Sequence, residues 1–191
     1  MTKSVHGLAV VVLSILLGGA PVVAESTFRL SLEEPVAGEI HGGVGNLRGW
    51  AVASEGIEKI EIWIDGAYAF DAPYGGNRGD VRAAFSDVSD SDKSGFSLAY
   101  GYGDLTAGNH TISAVAFNGA GEALESEASF DVVKFKENFI SDPNAVNLDD
   151  AACSANADEF LLTDAVVSGD LYDIVLKWRT AEQGFEIVEI R

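Results

Sequence analysis

The chain has 191 residues, 47% of them apolar, with 30 Asp and Glu against 12 Lys and Arg and a formal net charge of −18. That length holds one domain, or one domain with a small module, and the apolar fraction is enough to build a core. Such an acidic balance repels nucleic-acid phosphates and anionic lipid, which excludes both as partners, and the single cysteine, Cys153, excludes an internal disulfide.

In chain order, the first element is a targeting segment. Lys3 precedes an apolar run over residues 8–17, followed by Gly18, Gly19, Ala20 and Pro21 and by Ala24 as the cleavage residue. Residues 1–24 therefore read as a cleaved signal peptide. The apolar run falls short of the roughly 18 residues that span a bilayer, and no later stretch reaches that length, so no integral membrane segment is expected after cleavage. The cleavage region holds no cysteine to carry a lipid. The mature chain is expected to be exported, to the periplasm or beyond, with 11 basic against 30 acidic residues. Cys153, in an Asp-Ala-Ala-Cys-Ser-Ala-Asn setting, reads as a free, exposed, non-catalytic thiol.

Residues 25–137 alternate in short runs separated by Gly, Asn and Asp, which predicts a sandwich with a turn every 8–12 or so residues. Phe28, Leu30 and Leu32 alternate before Pro35 and Gly38, predicting an edge strand. A second strand over 46–52 has Leu47 and Trp50 as its inward candidates. In the third, over 57–64, Ile60, Ile62 and Ile64 share one face, and Asp65-Gly66 predicts a hairpin into Ala67, Tyr68, Ala69 and Phe70. Residues 74–80 are glycine-rich and read as a shaped loop, and 81–85 as a short strand or helical turn. Strands follow over 96–100 and 109–117, and Asn118-Gly119 turns the chain towards a last strand over 128–133. About seven strands result, the number an immunoglobulin-like sandwich needs. Residues 138–158 shift to Asn, Asp, Ala and Pro143 without periodicity and read as a linker or long loop. Residues 159–191 then predict a C-terminal three-strand β meander, with turns at Ser168-Gly169-Asp170 and Glu182-Gln183-Gly184. A meander of that size is marginal alone and should dock on the sandwich or on a partner. The fold class expected is all-β, an immunoglobulin-like antiparallel sandwich followed by that meander.

The order Leu32-Glu33-Glu34-Pro35, Gly38, Gly43-Val44-Gly45-Asn46-Leu47-Arg48-Gly49-Trp50, Asp65-Gly66, Tyr74-Gly75, Arg78-Gly79-Asp80 and Ser94-Gly95-Phe96 resembles a bacterial secreted immunoglobulin-like domain family. In that family a short β segment with a tryptophan, a glutamine and an aromatic often follows, and Trp178, Gln183, Gly184 and Phe185 look like that ending. Many relatives carry a cysteine pair near the positions of Val52 and Phe85, so the resemblance implies an apolar contact there in place of a disulfide. It implies no activity.

Three kinds of site can be drawn on the sequence. Asp87, Asp90 and Asp92, with Ser89 or backbone carbonyls, could offer hard oxygens to a structural calcium ion, which takes about six to eight of them, although the spacing departs from an EF-hand loop. Tyr74, Tyr100 and Tyr102 sit beside glycines in loop-like stretches and are the candidates for an exposed ligand patch, on which sugar rings could stack. Arg78-Gly79-Asp80 spells an adhesion tripeptide, whose alternative reading is a left-handed turn with a paired arginine. His41 and His110 are too few for a zinc site without carboxylates, and no nucleophile elbow accompanies any serine. The leading expectation is an exported non-enzymatic binding or structural module, using the sandwich loops or the meander as contact surface. Its alternatives are a carbohydrate-binding accessory protein with exposed aromatics and a calcium-stabilised surface or adhesion protein.

Overall fold

The computed structural model describes residues 26–137 and 139–191; the signal-peptide reading of 1–24 lies outside them. The chain forms β1 (Phe28–Glu34), β2 (Ile40–His41), β3 (Val44–Ala53), β4 (Ile57–Ile64), β5 (Ala67–Asp71), β6 (Tyr74–Gly76), the short helix α1 (Gly79–Ala84), β7 (Gly95–Gly101), β8 (Gly108–Asn118) and β9 (Ala123–Val132). Two sheets result, ordered β1-β3-β7-β6 and β2-β9-β8-β4-β5, antiparallel except for the β2–β9 pair. This is an all-β immunoglobulin-like sandwich.

Period-two alternation explains its core. Ile60 and Ile62 on β4 lie opposite Ala116 and Ala114 on β8, and Ile64 opposite Ile112. These meet Leu47, Ala51 and Phe96 of the other sheet around Phe130. At Asp65-Gly66 both residues have positive φ, +50° and +76°, as a two-residue hairpin turn requires. Leu47 points inward as expected, but Trp50 does not. Three positions apart on one strand, the two residues stand on opposite faces, and Trp50 packs outside the sandwich with Val52, Val81, Phe85 and Val88. Val52 and Phe85 thus share one apolar cluster. Residues 81–84 belong to the helical turn α1, capped at Phe85, that covers this outer face, and the expected loop at 74–80 begins with the edge strand β6.

Beyond the sandwich come β10 (Val146–Asn147), β11 (Ala152–Asn156), β12 (Glu159–Val167), β13 (Asp170–Arg179) and β14 (Gly184–Ile190). Strands β12, β13 and β14 fall where alternation places them. The stretch 138–158 is not simply a linker, because β10 and β11 both pair with the outer edge of β12 and enlarge the meander to five strands. Sequence patterning misses β11 because all five of its residues are exposed, so it carries no apolar alternation. Cys153 lies exposed on this strand, not in a loop.

The C-terminal sheet docks through β14, which packs beside β2. The approach is close enough that a Cβ on Gly42 would stand 3.1 Å from the Ile187 carbonyl and 3.2 Å from that of Val133. Arg179 reaches across, donating from Nη1 to Glu39 Oε1 at 2.6 Å and from Nη2 to the Ile40 carbonyl at 2.8 Å. Among the described residues, no helix is long and apolar enough to cross a membrane.

Candidate functional site

The three tyrosines singled out by sequence do not form one exposed patch. Tyr102 is fully buried; its hydroxyl donates to the Asn46 carbonyl at 2.7 Å, and its ring stacks on His41 at 4.3 Å and meets Phe130 edge-on. The turn glycines on either side aim the ring into the sandwich, which is why its setting resembles a loop in sequence. Tyr100 touches Tyr102, with ring centroids 5.0 Å apart, and is half-buried. Tyr74 lies apart on β6, its hydroxyl donating to the Ala51 carbonyl, and burial pushes that hydroxyl up to about 12. A sugar-stacking face built on these three is therefore corrected.

The side chains of the calcium candidate do not converge either. Among the described residues, no three His, Cys, Asp or Glu side chains converge to hold a metal ion. Asp90 adopts a left-handed conformation and pairs with Lys93 at 3.2 Å, while the Asp92 carbonyl accepts from Arg78 N. Ser91–Lys93 form a 3-10 turn, and Asp87, Asp90 and Asp92 face water.

Arg78 is committed internally. Its guanidinium donates to both carboxylate oxygens of Glu33, at 3.0 and 2.8 Å, and to both of Asp80. Hydrogen bonding to Arg78 holds the Asp80 carboxyl well below its ordinary range. Both charged groups of the adhesion tripeptide are thereby paired with each other. They line a cleft of about 520 Å³ with Arg48, Gly49, Phe96 and Ser97, whose charges are largely satisfied within the fold.

His110 comes nearest to a hydrolytic arrangement. Its Nδ1 lies 2.7 Å from Asp65 Oδ2, and its Nε2 lies 3.3 Å from Thr106 Oγ1. The same Nε2, however, is 2.9 Å from the Thr106 carbonyl, which can only accept. With a carboxylate beside one nitrogen and a carbonyl beside the other, these partners favour the protonated ring, which donates from both nitrogens. In that form no lone pair is left to take a proton from the hydroxyl.

The feature that sequence reasoning ranked too low is on the C-terminal sheet. Register places Trp178 opposite Phe185, and Phe160 opposite Leu176 one step inward. Phe185 lies 4.8 Å from the Phe160 ring and 5.3 Å from Trp178. All three stay open to solvent, Phe160 at 36%, Trp178 at 38% and Phe185 at 44%. The same face continues inward through Leu176 and Ile187 to the buried Ala165, Val167 and Ile174, where Phe135 and Ile140 cover it. Among the described residues, nothing covers the aromatic end. The signal available in sequence was a pair of large aromatics, Trp178 and Phe185, flanking a hairpin tip.

No family model matches the chain, and no curated protein matches it. Solved structures resemble it in fold alone. The endo-beta-1,4-mannanase from Thermotoga petrophila aligns at 12% identity over 57% of this chain and 20% of that one, with a TM-score of 0.43, so the chain spans about a fifth of that protein. Fibronectin(III)-like modules of Clostridium thermocellum CbhA align at 16% identity over 56% of this chain and 100% of theirs, with a TM-score of 0.36. The Ig1-2 module of the Drosophila receptor protein tyrosine phosphatase DLAR aligns at 11% identity over 84% and 95%, also at 0.36.

Proposed function

We propose that this chain is an exported, non-enzymatic binding module of a bacterial immunoglobulin-like family, and that its contact surface is the aromatic end of the C-terminal sheet. The observation that carries this reading is the uncovered cluster of Phe160, Trp178 and Phe185. Large aromatics bring much apolar area at little entropic cost, and contiguous exposed ones mark contact sites more often than they serve the free protein. A protein partner fits better than a polysaccharide. The rings meet at 58° and 70°, so they pack edge against face and present no shared flat platform for a pyranose. They suit apolar side chains that insert between them.

The test places a photo-crosslinking phenylalanine analogue at position 185 of the full chain, expressed in its producing cells. A discrete protein adduct is expected, together with its loss when Trp178→Ala is added and no retention of the parent on insoluble polysaccharide. Adducts that Trp178→Ala leaves unchanged, or polysaccharide retention abolished by that substitution, would overturn the protein-partner reading.

A further inference from the structure

The seam beneath the aromatic hairpin concentrates buried ionisable groups that neither the core nor the proposed contact surface uses. Alternation puts Trp178 and Phe185 on one face of the hairpin, while Arg179 and Glu186 turn towards the sandwich. His41, 2% exposed on β2, lies between two carboxylates, with Nε2 3.4 Å from Glu39 Oε2 and Nδ1 3.5 Å from Glu186 Oε2. Tyr102 stacks on one side of it, Phe130 of β9 stands edge-on, and Arg179 of β13 approaches Glu186 at 3.8 Å. At the end of β1, Glu34 is 4% exposed and is held by Arg48 of β3 at 2.8 Å. The Glu182 carboxylate, from the β13–β14 turn, and the Tyr102 hydroxyl also face it. Both ring nitrogens of His41, Glu34 Oε2 and Glu186 Oε2 are buried without a hydrogen-bond partner among the described residues.

Four carboxylates thus meet two guanidiniums across one contact. A fully ionised seam leaves excess negative charge out of water, which is costly unless protons neutralise it. One proton on Glu34 removes its repulsion with Glu182. We infer that the seam is an acid-strengthened latch: protonation of Glu34 holds the C-terminal sheet against the sandwich, and its deprotonation loosens it. Burial first, then the neighbouring Glu182 carboxylate, push Glu34 up to about 7 against the pull of Arg48, which puts the transition near neutrality. The sign follows. A carboxyl raised above its ordinary 4.5 contributes stability in full below that value and loses it as pH rises through about 7. The latch is independent of any partner on the aromatic face.

Amide hydrogen exchange of the full chain without a partner tests it. Seam amides at 40–43 and 186–188 are compared with core amides at 112–116 in one sample, so that the chemical pH dependence of exchange cancels. Between about pH 5.5 and about pH 8.5, seam protection relative to the core is expected to fall by about tenfold or more. Glu34→Gln should keep that ratio nearly flat. If Glu34→Gln disturbs the core amides, Glu182→Gln in the turn serves in its place, since it removes the same repulsion from the other side. A parent ratio that does not change with pH, or variants that change as much as the parent, would overturn the latch.

Discussion

The sandwich and the C-terminal sheet are both built from alternating strands, yet they close differently. In the sandwich two sheets face each other, and Leu47, Ile60, Ile62, Ile112 and Phe130 lose all contact with water. Among the described residues, the C-terminal sheet has no second sheet facing it. Its buried cluster of Ala165, Val167 and Ile174 is roofed by Phe135 and Ile140 from the connecting segment, and its aromatic end stays open. A sheet without a partner sheet is marginal alone. It holds through the seam, and it leaves an uncovered face that a second molecule can use.

The largest way to break that contrast is at the sandwich centre. Phe130 packs against Tyr102, His41 and His110 at once. Phe130→Ala should cost about 3–5 kcal/mol, the usual loss for a buried Phe whose site cannot collapse. Because the C-terminal sheet leans on this region, both parts should unfold together, as one shifted transition in urea read by circular dichroism. A second, unshifted transition would mean that the C-terminal sheet stands without the sandwich.

A smaller and more selective effect belongs to the seam. Arg179→Ala strips Glu39 Oε1 and the Ile40 carbonyl of the Arg179 donor and leaves Glu186 beside His41 without a nearby guanidinium. Leaving buried acceptors unpaired should destabilise the docked sheet by about 2 kcal/mol. Faster exchange is expected at 184–190, with strand β8 unaffected. Equal loosening of both regions would show that Arg179 supports the whole fold and not the seam alone.

The difference in closure also explains what the sequence could reveal. Ile60, Ile62 and Ile64 mark a strand because one face is buried and the other wet, and Asp65-Gly66 marks the turn because its backbone geometry demands such residues. The same signal locates β12 to β14. It fails for β11, whose Ala152, Cys153, Ser154, Ala155 and Asn156 are all exposed. It fails for the seam as well, since Glu39 and Arg179 meet across 140 positions and each alone reads as a solvated charge. Tyr102 shows the opposite error: glycine neighbours suggest a loop, whereas the ring fills the core. Trp178 and Phe185 could be placed on a strand, but their exposure depends on the absence of an opposing sheet, which no local pattern records.

The smallest expected effect separates the two regions by pH. His110 lies in the sandwich, and although burial opposes its charge, hydrogen bonds to Asp65 and to the Thr106 carbonyl raise it above its ordinary 6.5. Asp65 is held below its ordinary 3.8 by the Thr111 amide and then by His110. His110 therefore contributes stability in full below pH 6.5 and loses it as pH rises through its higher folded-state value. Asp65 contributes above pH 3.8 and loses it as pH falls through its depressed value. The pair is at full strength between those limits, and because Asp65 is half exposed its worth is about 1 kcal/mol or less. His110→Gln should flatten the alkaline decline of the sandwich transition while leaving the pH dependence at 40–43 and 186–188 intact, because the seam titrates through other groups. If His110→Gln removed the pH response of both regions, the imidazolium in the sandwich would be the source of both, and the separation between a closed sandwich and a latched sheet would fail.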